Sequence, residues 1–503
     1  MKKLSSFKVS AVVGLSLLAG MANIASAAAP TYTVRFYSAG LKASSALRFT
    51  DSNGVFASTL SFPTTTEGSS SPPVTFNVKN MSTTGVVFQA TPFTVTAPFS
   101  LSGTTCTGTL APAASCSVTL SYSPPYYQTT TGQFFTINTT PSGIAAPSFF
   151  AKAASLPYAN VVSTYNHAFF KKNDGRWIAV GDDYYGQIGG MGIYTAPAGN
   201  PAIFGATQIA TGVFHTLALM ADGTVKATGY NAQGQLGLGD LLKRAAFVTI
   251  PGISGAKAVA ASAYSSYIQL SDNSWVSAGA NSRGQLGLGD TSNRATFTAI
   301  PGSAGSLAFT TGHQSIFLKT AAGAWSAAGM NNSGQLGLGD TVDRPSFTLM
   351  PGISGSSTIY SAYSTTFVKD ASNNWLAAGD NSNNLYGSAA ATSTSFVPAP
   401  ALNGSVAMAV GMESYSAFVM SAGGSWYGVG GNGQGQLGLG DFTNRTVYTL
   451  NSVMTGSSLV TANLDSTFFI KAGALFSTGS NVNDGHIGQP GDILYSSFTQ
   501  VTP

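Results

Sequence analysis

The chain contains 503 residues, of which only 8% are charged, and it carries a formal net charge of +4. Three of its 22 basic residues precede residue 28 and none of its 18 acidic residues does, so the remainder is almost neutral. No cluster of Lys and Arg forms the basic stripe that is typical of nucleic-acid binding. With 59 glycines, the composition favours an exported all-β protein with many tight turns.

Residues 1–27 are predicted to be a signal peptide. Lysines at positions 2, 3 and 8 precede an apolar run over 9–22, and Ala25-Ser26-Ala27 forms an A-x-A cleavage site. No later stretch approaches the ~20 unbroken apolar residues of a membrane helix. We therefore expect an exported protein without a membrane span after cleavage, located outside the cell, on its surface or in the periplasm.

Residues 28–152 are predicted to form a β-sandwich domain. Short alternations of apolar and polar residues indicate half-buried strands at 74–78, 93–95, 117–120 and 134–137. The domain holds the two cysteines of the chain, Cys106 and Cys116. In an exported protein such a close pair favours a disulfide across a hairpin. The alternative is a metal pair or a redox dithiol, which needs a CxxC spacing or further ligands nearby.

The residues around the cysteines carry a resemblance. Leu110 and Pro112 between them, with Tyr122 to Pro124 after them, match a pattern of immunoglobulin-like modules in bacterial exported proteins. The match covers about 90 residues. The resemblance implies an adaptor that presents another domain or mediates adhesion.

From residue 157 to residue 503 the sequence repeats about every 50 residues. GQLGLGD occurs at 234–240, 284–290, 334–340 and 435–441, and degenerate copies extend the series to seven units. A second column supports this alignment, because each unit has one residue four positions before the glycine that ends a strand. These residues are Trp177, Val225, Trp275, Trp325, Trp375, Trp426 and Leu475.

Each unit is predicted to contain four short strands, as at 247–250, 256–261, 266–270 and 275–278. Four antiparallel strands per unit of this length indicate a β-propeller blade, so we predict seven blades in a closed ring. The last residues correspond to the first strand of a unit, and the first unit begins at the second strand. We therefore expect the first and last segments to pair within one blade, which leaves no open sheet edge.

The heptamer is interpreted as a structural corner. Its glycines supply positive φ at a sharp turn, and Leu236 and Leu238, with their copies, are expected to pack between blades. Each heptamer Asp is followed by an Arg four residues later, and we expect the two to form an ion pair. The corner residues are Gly234, Gly284, Gly334, Gly435, Asp240, Asp290, Asp340, Asp441, Arg244, Arg294, Arg344 and Arg445.

Two functional interpretations of the heptamer are less favoured. A phosphate-binding glycine loop requires a strand-to-helix context and a GK[ST] sequence. Calcium-binding nonapeptide repeats require tandem copies every nine residues. The chain has neither feature, so we predict no metal and no cofactor.

The segment HTLALMADGTVKATGYNAQGQLGLGD at 215–240 resembles a unit of the regulator of chromosome condensation repeat family. The similarity extends over about 345 residues, and it implies a seven-bladed propeller. Members that exchange nucleotide on a small GTPase use an inserted wedge, for which the regular spacing here leaves no room. The nearest functional analogue by location is a secreted bacterial propeller that inhibits β-lactamase by covering its active site with one face.

An enzyme is not expected. The only glutamates are Glu67 and Glu413, in different domains, and the four histidines match no metalloprotease motif. His167 and His215 occupy one repeat column in which other units have Ser or Thr, which indicates a structural role.

The predicted function is binding of a protein or glycan partner by one propeller face, by a protein that is a monomer. Inhibition of an extracellular enzyme is the alternative, and catalysis is a third hypothesis. The candidate partner-binding residues are the aromatics just ahead of the predicted third strands: Tyr165, Phe214, Tyr264, Tyr363 and Tyr415. Alternatively, these rings only line the central channel.

Overall fold

The computed structural model describes residues 31–32, 34–39, 47–51, 59–61, 65–66, 72–95, 99–122, 131–140, 148–153, 158–173, 175–190, 193–353, 358–370, 372–386, 391–411, 414–482 and 485–501. The chain divides into two compact units at the boundary between residues 156 and 157. The predicted signal peptide and both glutamates lie outside the described residues. No helix among the described residues is long and apolar enough to cross a membrane.

The N-terminal unit consists of antiparallel strands in three sheets, with the orders β1-β5, β3-β6-β10-β8 and β4-β2-β12-β11-β7-β9. Its strands are β1 (Thr31–Tyr32), β2 (Val34–Ala39), β3 (Leu47–Thr50), β4 (Thr59–Ser61), β5 (Thr65–Thr66), β6 (Val74–Asn80), β7 (Val86–Val95), β8 (Phe99–Thr104), β9 (Thr109–Leu110), β10 (Ser115–Tyr122), β11 (Thr131–Thr140) and β12 (Ser148–Ala153).

One apolar core joins the two larger sheets of this unit. Phe76 and Val118 from one sheet and Phe88 and Ile137 from the other belong to the same buried cluster. The predicted disulfide is present between Cys106 and Cys116, whose Cα atoms are 5.0 Å apart. It ties the β8–β9 connection to β10.

The C-terminal unit consists of seven consecutive four-stranded antiparallel sheets, which we name sheets I to VII in chain order. Their strands are, in sheet I, β13 (Tyr158–Thr164), β14 (His167–Lys172), β15 (Trp177–Asp182) and β16 (Ile193–Gly199); in sheet II, β17 (Ala206–Thr211), β18 (His215–Met220), β19 (Val225–Gly229) and β20 (Arg244–Thr249); in sheet III, β21 (Ala258–Ser262), β22 (Ser265–Gln269), β23 (Trp275–Gly279) and β24 (Arg294–Ala299); in sheet IV, β25 (Ala308–Thr311), β26 (Ser315–Lys319), β27 (Trp325–Gly329) and β28 (Arg344–Leu349); in sheet V, β29 (Thr358–Ser361), β30 (Thr365–Lys369), β31 (Trp375–Asp380) and β32 (Thr392–Pro398); in sheet VI, β33 (Ser405–Ala409), β34 (Ser416–Ser421), β35 (Trp426–Gly430) and β36 (Arg445–Asn451); and in sheet VII, β37 (Leu459–Ala462), β38 (Ser466–Lys471), β39 (Ala474–Ser480) and β40 (Leu494–Gln500). Short 3-10 helices at Pro201–Ile203, Pro400–Leu402 and Ser452–Met454 lie between sheets.

The expected sharing of one blade by the first and last segments is wrong. The strand predicted at 247–250 as the first of a unit corresponds to β20 (Arg244–Thr249), which pairs with β19 and is the fourth strand of sheet II. By the same shift β40 completes sheet VII by pairing with β39, and β13 pairs with β14 in sheet I. A periodic sequence shows the length of its unit but not the point at which the unit begins, and this is the physical reason for the error.

Sheets I and VII nevertheless lie side by side. Residues of both form one buried cluster that includes Phe170 and Phe468, whose rings are 5.6 Å apart. The Asn463 side-chain amide also donates to the Thr164 carbonyl across 3.0 Å. The last sheet therefore packs on the first as other neighbouring sheets pack on each other.

The core of the C-terminal unit lies between neighbouring sheets. Trp275 of sheet III stacks on Phe309 of sheet IV, with ring centroids 4.1 Å apart. Leu236 is fully buried in a cluster with residues of sheets II and III, as predicted for the heptamer leucines, whereas Leu238 is half-buried beside it.

The antiparallel order gives each sheet two distinct ends. The turn between strands 1 and 2 and the loop between strands 3 and 4 lie at one end, which we call the corner face. The turn between strands 2 and 3 and the connection to the next sheet lie at the other end, which we call the connector face. The heptamers occupy the corner face, because they follow strand 3.

Candidate functional site

The heptamer corner joins each sheet to the next one. Gly234 has a φ of +83°, and a Cβ atom there would lie 2.6 Å from the Cα of Ala295 in β24. The amide of Gly239 donates to the carbonyl of Ala295 across 2.9 Å. The corner therefore requires glycine for its backbone conformation and for the close approach of the neighbouring sheet.

The predicted ion pairs are present. The Arg244 guanidinium lies 2.6 Å from the Asp240 carboxylate, and its hydrogen bond holds the pKa of Asp240 below its usual range. The same pair forms at Asp290–Arg294, Asp340–Arg344 and Asp441–Arg445.

An asparagine that the sequence analysis did not single out fixes the corner of every sheet except sheet I. Buried Asn231 accepts a hydrogen bond from the Leu236 amide and donates one to the Asp240 carbonyl, both across 2.9 Å. In sheet I this position is Asp183, which accepts from the amides of Ile188 and Gly190. Burial raises the pKa of the Asp183 carboxyl to about 6.

The two histidines of the repeat column are buried and hydrogen-bonded. His167 and His215 are fully buried, and burial lowers the pKa of each to about 3, so both rings are neutral at neutral pH. His215 Nε2 lies 2.9 Å from the Ser266 hydroxyl, and His167 Nε2 lies 3.4 Å from the Thr216 hydroxyl. Among the described residues no group of three His, Cys, Asp or Glu side chains could hold a metal ion.

The five predicted aromatic residues lie in strand 1–2 turns of the corner face. They precede the second strands, not the third, because of the same shift in the unit boundary. The structure brings them together in two groups. Tyr165, Phe214 and Tyr264 follow one another across sheets I to III, with ring centroids 6.5 and 6.2 Å apart. Tyr363 and Tyr415 are 5.4 Å apart.

Turns of six successive sheets thus each contribute one aromatic ring. The missing member is His313 of sheet IV, which is 4.3 Å from Tyr363. The turn of sheet VII has Asp465 in this region, and its carboxylate lies 3.2 Å from buried His486. We name these six rings the collar: Tyr165, Phe214, Tyr264, His313, Tyr363 and Tyr415.

Three further aromatic residues extend the collar toward the rim over sheets I and II. The ring centroid of Tyr185 lies 5.0 Å from that of Phe214 and 5.1 Å from that of Tyr230. The ring centroid of Tyr184 lies 5.0 Å from that of Tyr185. Tyr184 is 67% exposed, which makes its ring available to a partner. We name Tyr184, Tyr185 and Tyr230 the extension.

Sequence reasoning missed the extension, although a signal was present. The repeat positions of Tyr184 and Tyr185 hold Ala232 and Gln233 in the next unit, and no other unit has an aromatic residue at either. Tyr230 is also the only aromatic residue in its column. Comparing each unit with the repeat average would have found all three.

Two carboxylates lie in or beside the turns that carry the collar. Asp182 accepts from the Asn166 side chain across 2.8 Å and from the Tyr184 amide across 2.8 Å, which places it beside Tyr165. Asp465 belongs to the strand 1–2 turn of sheet VII, in which Asn463 donates to the carbonyl of Thr164, the residue before Tyr165. The described residues of the seven strand 1–2 turns include neither Lys nor Arg.

Comparison with known proteins supports an RCC1-like propeller. The Regulator of chromosome condensation (RCC1) repeat model matches residues 206–235, which begin at β17 and end within the corner of sheet II. No curated protein sequence matches the chain.

Solved structures with a similar fold share little sequence identity. Prp20p of Saccharomyces cerevisiae is 17% identical, with a TM-score of 0.56 over 70% of this chain and 87% of that one. The structure of Prp20p was described together with its binding properties to Gsp1p and histones. Human WBSCR16 is 16% identical, with a TM-score of 0.55 over 66% of this chain and 93% of that one. The repeat and the fold of the C-terminal unit are thus similar to those of the regulator of chromosome condensation.

Proposed function

We propose that this protein is a non-enzymatic binding protein that holds a partner protein on the corner face of its propeller. The collar and its extension carry the proposal, because nine rings converge there and the extension departs from an otherwise regular repeat. Tyr and Phe provide large contact areas at a low entropic cost, and Tyr keeps a hydroxyl for hydrogen bonding. Residues of this type dominate the energy of many protein interfaces.

The scaffold for this surface is a ring of seven blades over residues 157–503. The seven sheets and the packing of sheet VII on sheet I support it. A rigid ring can present a wide surface without a large entropic loss on binding. We propose that residues 28–152 form an immunoglobulin-like adaptor, which the single core between two sheets supports.

Export to the cell surface, the periplasm or the medium is part of the proposal. The Cys106–Cys116 disulfide supports it, because structural disulfides persist in oxidising compartments. The signal sequence over 1–27 points the same way.

A protein partner is favoured over a glycan by the orientation of the rings. Tyr184 and Tyr185 are inclined by 89°, and Tyr185 and Tyr230 by 70°. Such T-shaped neighbours do not form a flat platform on which successive sugar rings could stack. They form an uneven surface that suits protein side chains.

The proposal is tested by capture from culture medium and envelope extract with three forms of the protein. The wild type is compared with Tyr185→Ala/Tyr230→Ala and with Phe204→Ala, which removes a 54% exposed ring from the connector face. We expect the wild type and Phe204→Ala to retain one stoichiometric protein and the double variant to lose it.

The identity of the captured material also shows whether the protein inhibits an enzyme. If the protein is an enzyme whose activity falls on binding, the function is inhibition of that enzyme. Recovery of glycan alone, or equal recovery by all three forms, would contradict a protein-binding corner face. Matching circular dichroism spectra and melting temperatures for the three forms are the folding control.

A further inference from the structure

The collar is acidic as well as aromatic, and this combination limits the chemistry of its ligand. Asp182 accepts a hydrogen bond from Asn166, the residue after Tyr165, and Asp465 lies in the neighbouring turn of sheet VII, which bonds to the residue before Tyr165. On the far side of the collar, Asp380 ends β31, and its amide donates to the carbonyl of Ser364, the residue after Tyr363, across 2.9 Å. Carboxylates are therefore found near both aromatic groups of the collar, the one that begins at Tyr165 and the one that contains Tyr363.

Unlike the carboxylates near the collar, the arginines of the corner face lie in the corners and form ion pairs there. Arg244, Arg294, Arg344 and Arg445 each form an ion pair with the Asp of their own corner. Arg283 pairs with Asp343 across 3.1 Å. Lys243 lies near the rim, with its ammonium 5.6 Å from the Tyr184 ring. The collar thus has carboxylates beside its rings, whereas the paired bases lie in the corners.

Aromatic faces and carboxylates favour the same kind of ligand. The face of an aromatic ring carries partial negative charge and attracts Arg or Lys, and the attraction grows when water is excluded. Carboxylates around a concave surface add a negative field that attracts cations and repels acidic segments.

We propose that the collar binds an exposed segment of the partner protein that carries at least one Arg or Lys. This inference rests on the proposed function and specifies the partner's chemistry. The cationic side chain contacts the rings of Tyr165 and Phe214, with Asp182 and Asp465 beside it. The extension contacts the flanking apolar residues of the segment.

The Lys243–Tyr184 contact shows the same chemistry within the chain itself. There an ammonium already lies over one ring of the extension, so a second cation is better placed at the collar, since the described residues of its turns include neither Lys nor Arg. The extension therefore provides apolar contact area, and the collar provides charge selectivity.

The test uses a display library of random ten-residue peptides, selected against the wild-type protein. The inference predicts enrichment of Arg or Lys at one position and depletion of Asp and Glu. A selected peptide is then synthesised with that residue as Arg and as citrulline, which keeps the shape but removes the charge. We expect the citrulline peptide to bind about tenfold more weakly.

Charge variants of the protein complete the test. Asp182→Asn and Asp465→Asn should each weaken binding of the Arg peptide about threefold or more and leave binding of the citrulline peptide unchanged. Asp222→Asn is the matched control, because exposed Asp222 lies in a strand 2–3 turn of the connector face. It should change neither affinity.

Equal affinity for the Arg and citrulline peptides, enrichment of neutral or acidic peptides, or no enrichment at all would overturn this inference. The proposed function has a separate criterion, since a captured protein that requires Tyr185 and Tyr230 would support it even if the bound segment is not basic. If the peptide selection fails and no captured protein requires Tyr185 and Tyr230, the corner face is not a binding site.

Discussion

The corners of sheets I and II occupy equivalent places in neighbouring sheets but present different side chains. In sheet II, Asn231 fixes the loop, and Asp240 pairs with Arg244. In sheet I a buried Asp183 replaces the asparagine, and Tyr184 and Tyr185 follow it. The same arrangement of Asn, Asp and Arg recurs in the corners of sheets III, IV and VI, as expected of a structural element. The corner of sheet I occurs once and borders the collar, which is expected of a site.

Among variants of the repeated corner, a substitution at Gly234 should lower the free energy of unfolding most. Gly234→Ala places a Cβ 2.6 Å from backbone atoms of Ala295 at a φ of +83°, and it should lower the free energy of unfolding by about 3 kcal/mol or more. Gly252→Ala is the control, because its φ is +73° but no atom lies within 4 Å of the added Cβ. It should cost only about 1 to 2 kcal/mol. Equal losses in urea unfolding would contradict a role for close sheet contact.

Removal of the corner asparagine should have the next largest effect. Asn231→Ala leaves the buried Leu236 amide without its acceptor, which should cost about 1 to 3 kcal/mol in unfolding free energy. Ser282→Ala removes an exposed hydroxyl from the corner of sheet III and should change stability by less than about 0.5 kcal/mol. A small loss for both variants would show that the asparagine column does not fix the loops.

Asp183 should give sheet I a pH dependence that the other corners lack. Its pKa is about 6 in the folded protein, above its ordinary value of 3.8, so the folded state binds the proton more tightly than the unfolded state. The resulting stability is present below pH 4 and is lost as pH rises through 6, by on the order of 3 kcal/mol for a pKa difference of about two.

The measurement for Asp183 is the melting temperature of the wild type and of Asp183→Asn between pH 4 and pH 8. The advantage of the wild type over the variant should shrink as pH rises through 6. An unchanged difference between the two proteins across this range would contradict the buried, proton-binding carboxylate. Asp222→Asn, at an exposed site whose pKa is held low by hydrogen bonds from Thr224, should show no such change near pH 6.

The corner ion pairs should have the smallest effect. Arg244→Met, Asp240→Asn and the double variant form a cycle whose coupling free energy should be smaller than the losses above and should fall with added salt. A much larger coupling would mean that the pair is a main source of corner stability. We expect that source to be Asn231 and the buried leucines.

The repeat allowed much of the fold to be predicted from sequence. Positive φ at Gly186, Gly234 and Gly284, and also at Asn384 in the degenerate fifth unit, confirms the predicted corner alignment. The start of the unit was placed wrongly, because β20 is joined to β19 by hydrogen bonds that periodicity does not reveal. Asn231 was overlooked because an asparagine near a glycine turn has no distinctive chemistry until its partners are known.

The candidate site was predicted only in part. The collar tyrosines were visible as aromatics before strands, but their proximity depends on packing between sheets that are about 50 residues apart in sequence. Tyr230 meets Tyr185 of the preceding sheet through such packing. The extension therefore required the structure, or a search for residues that depart from the repeat.

Hydrogen exchange of the protein with and without its captured partner tests the central claim most directly. The account predicts slower exchange of the amides at 163–167, 182–188, 212–216 and 230–231, on the corner face of sheets I and II, with little change in the corners of sheets III and IV. Slower exchange spread evenly over all the corners, or confined to the connector face, would contradict it.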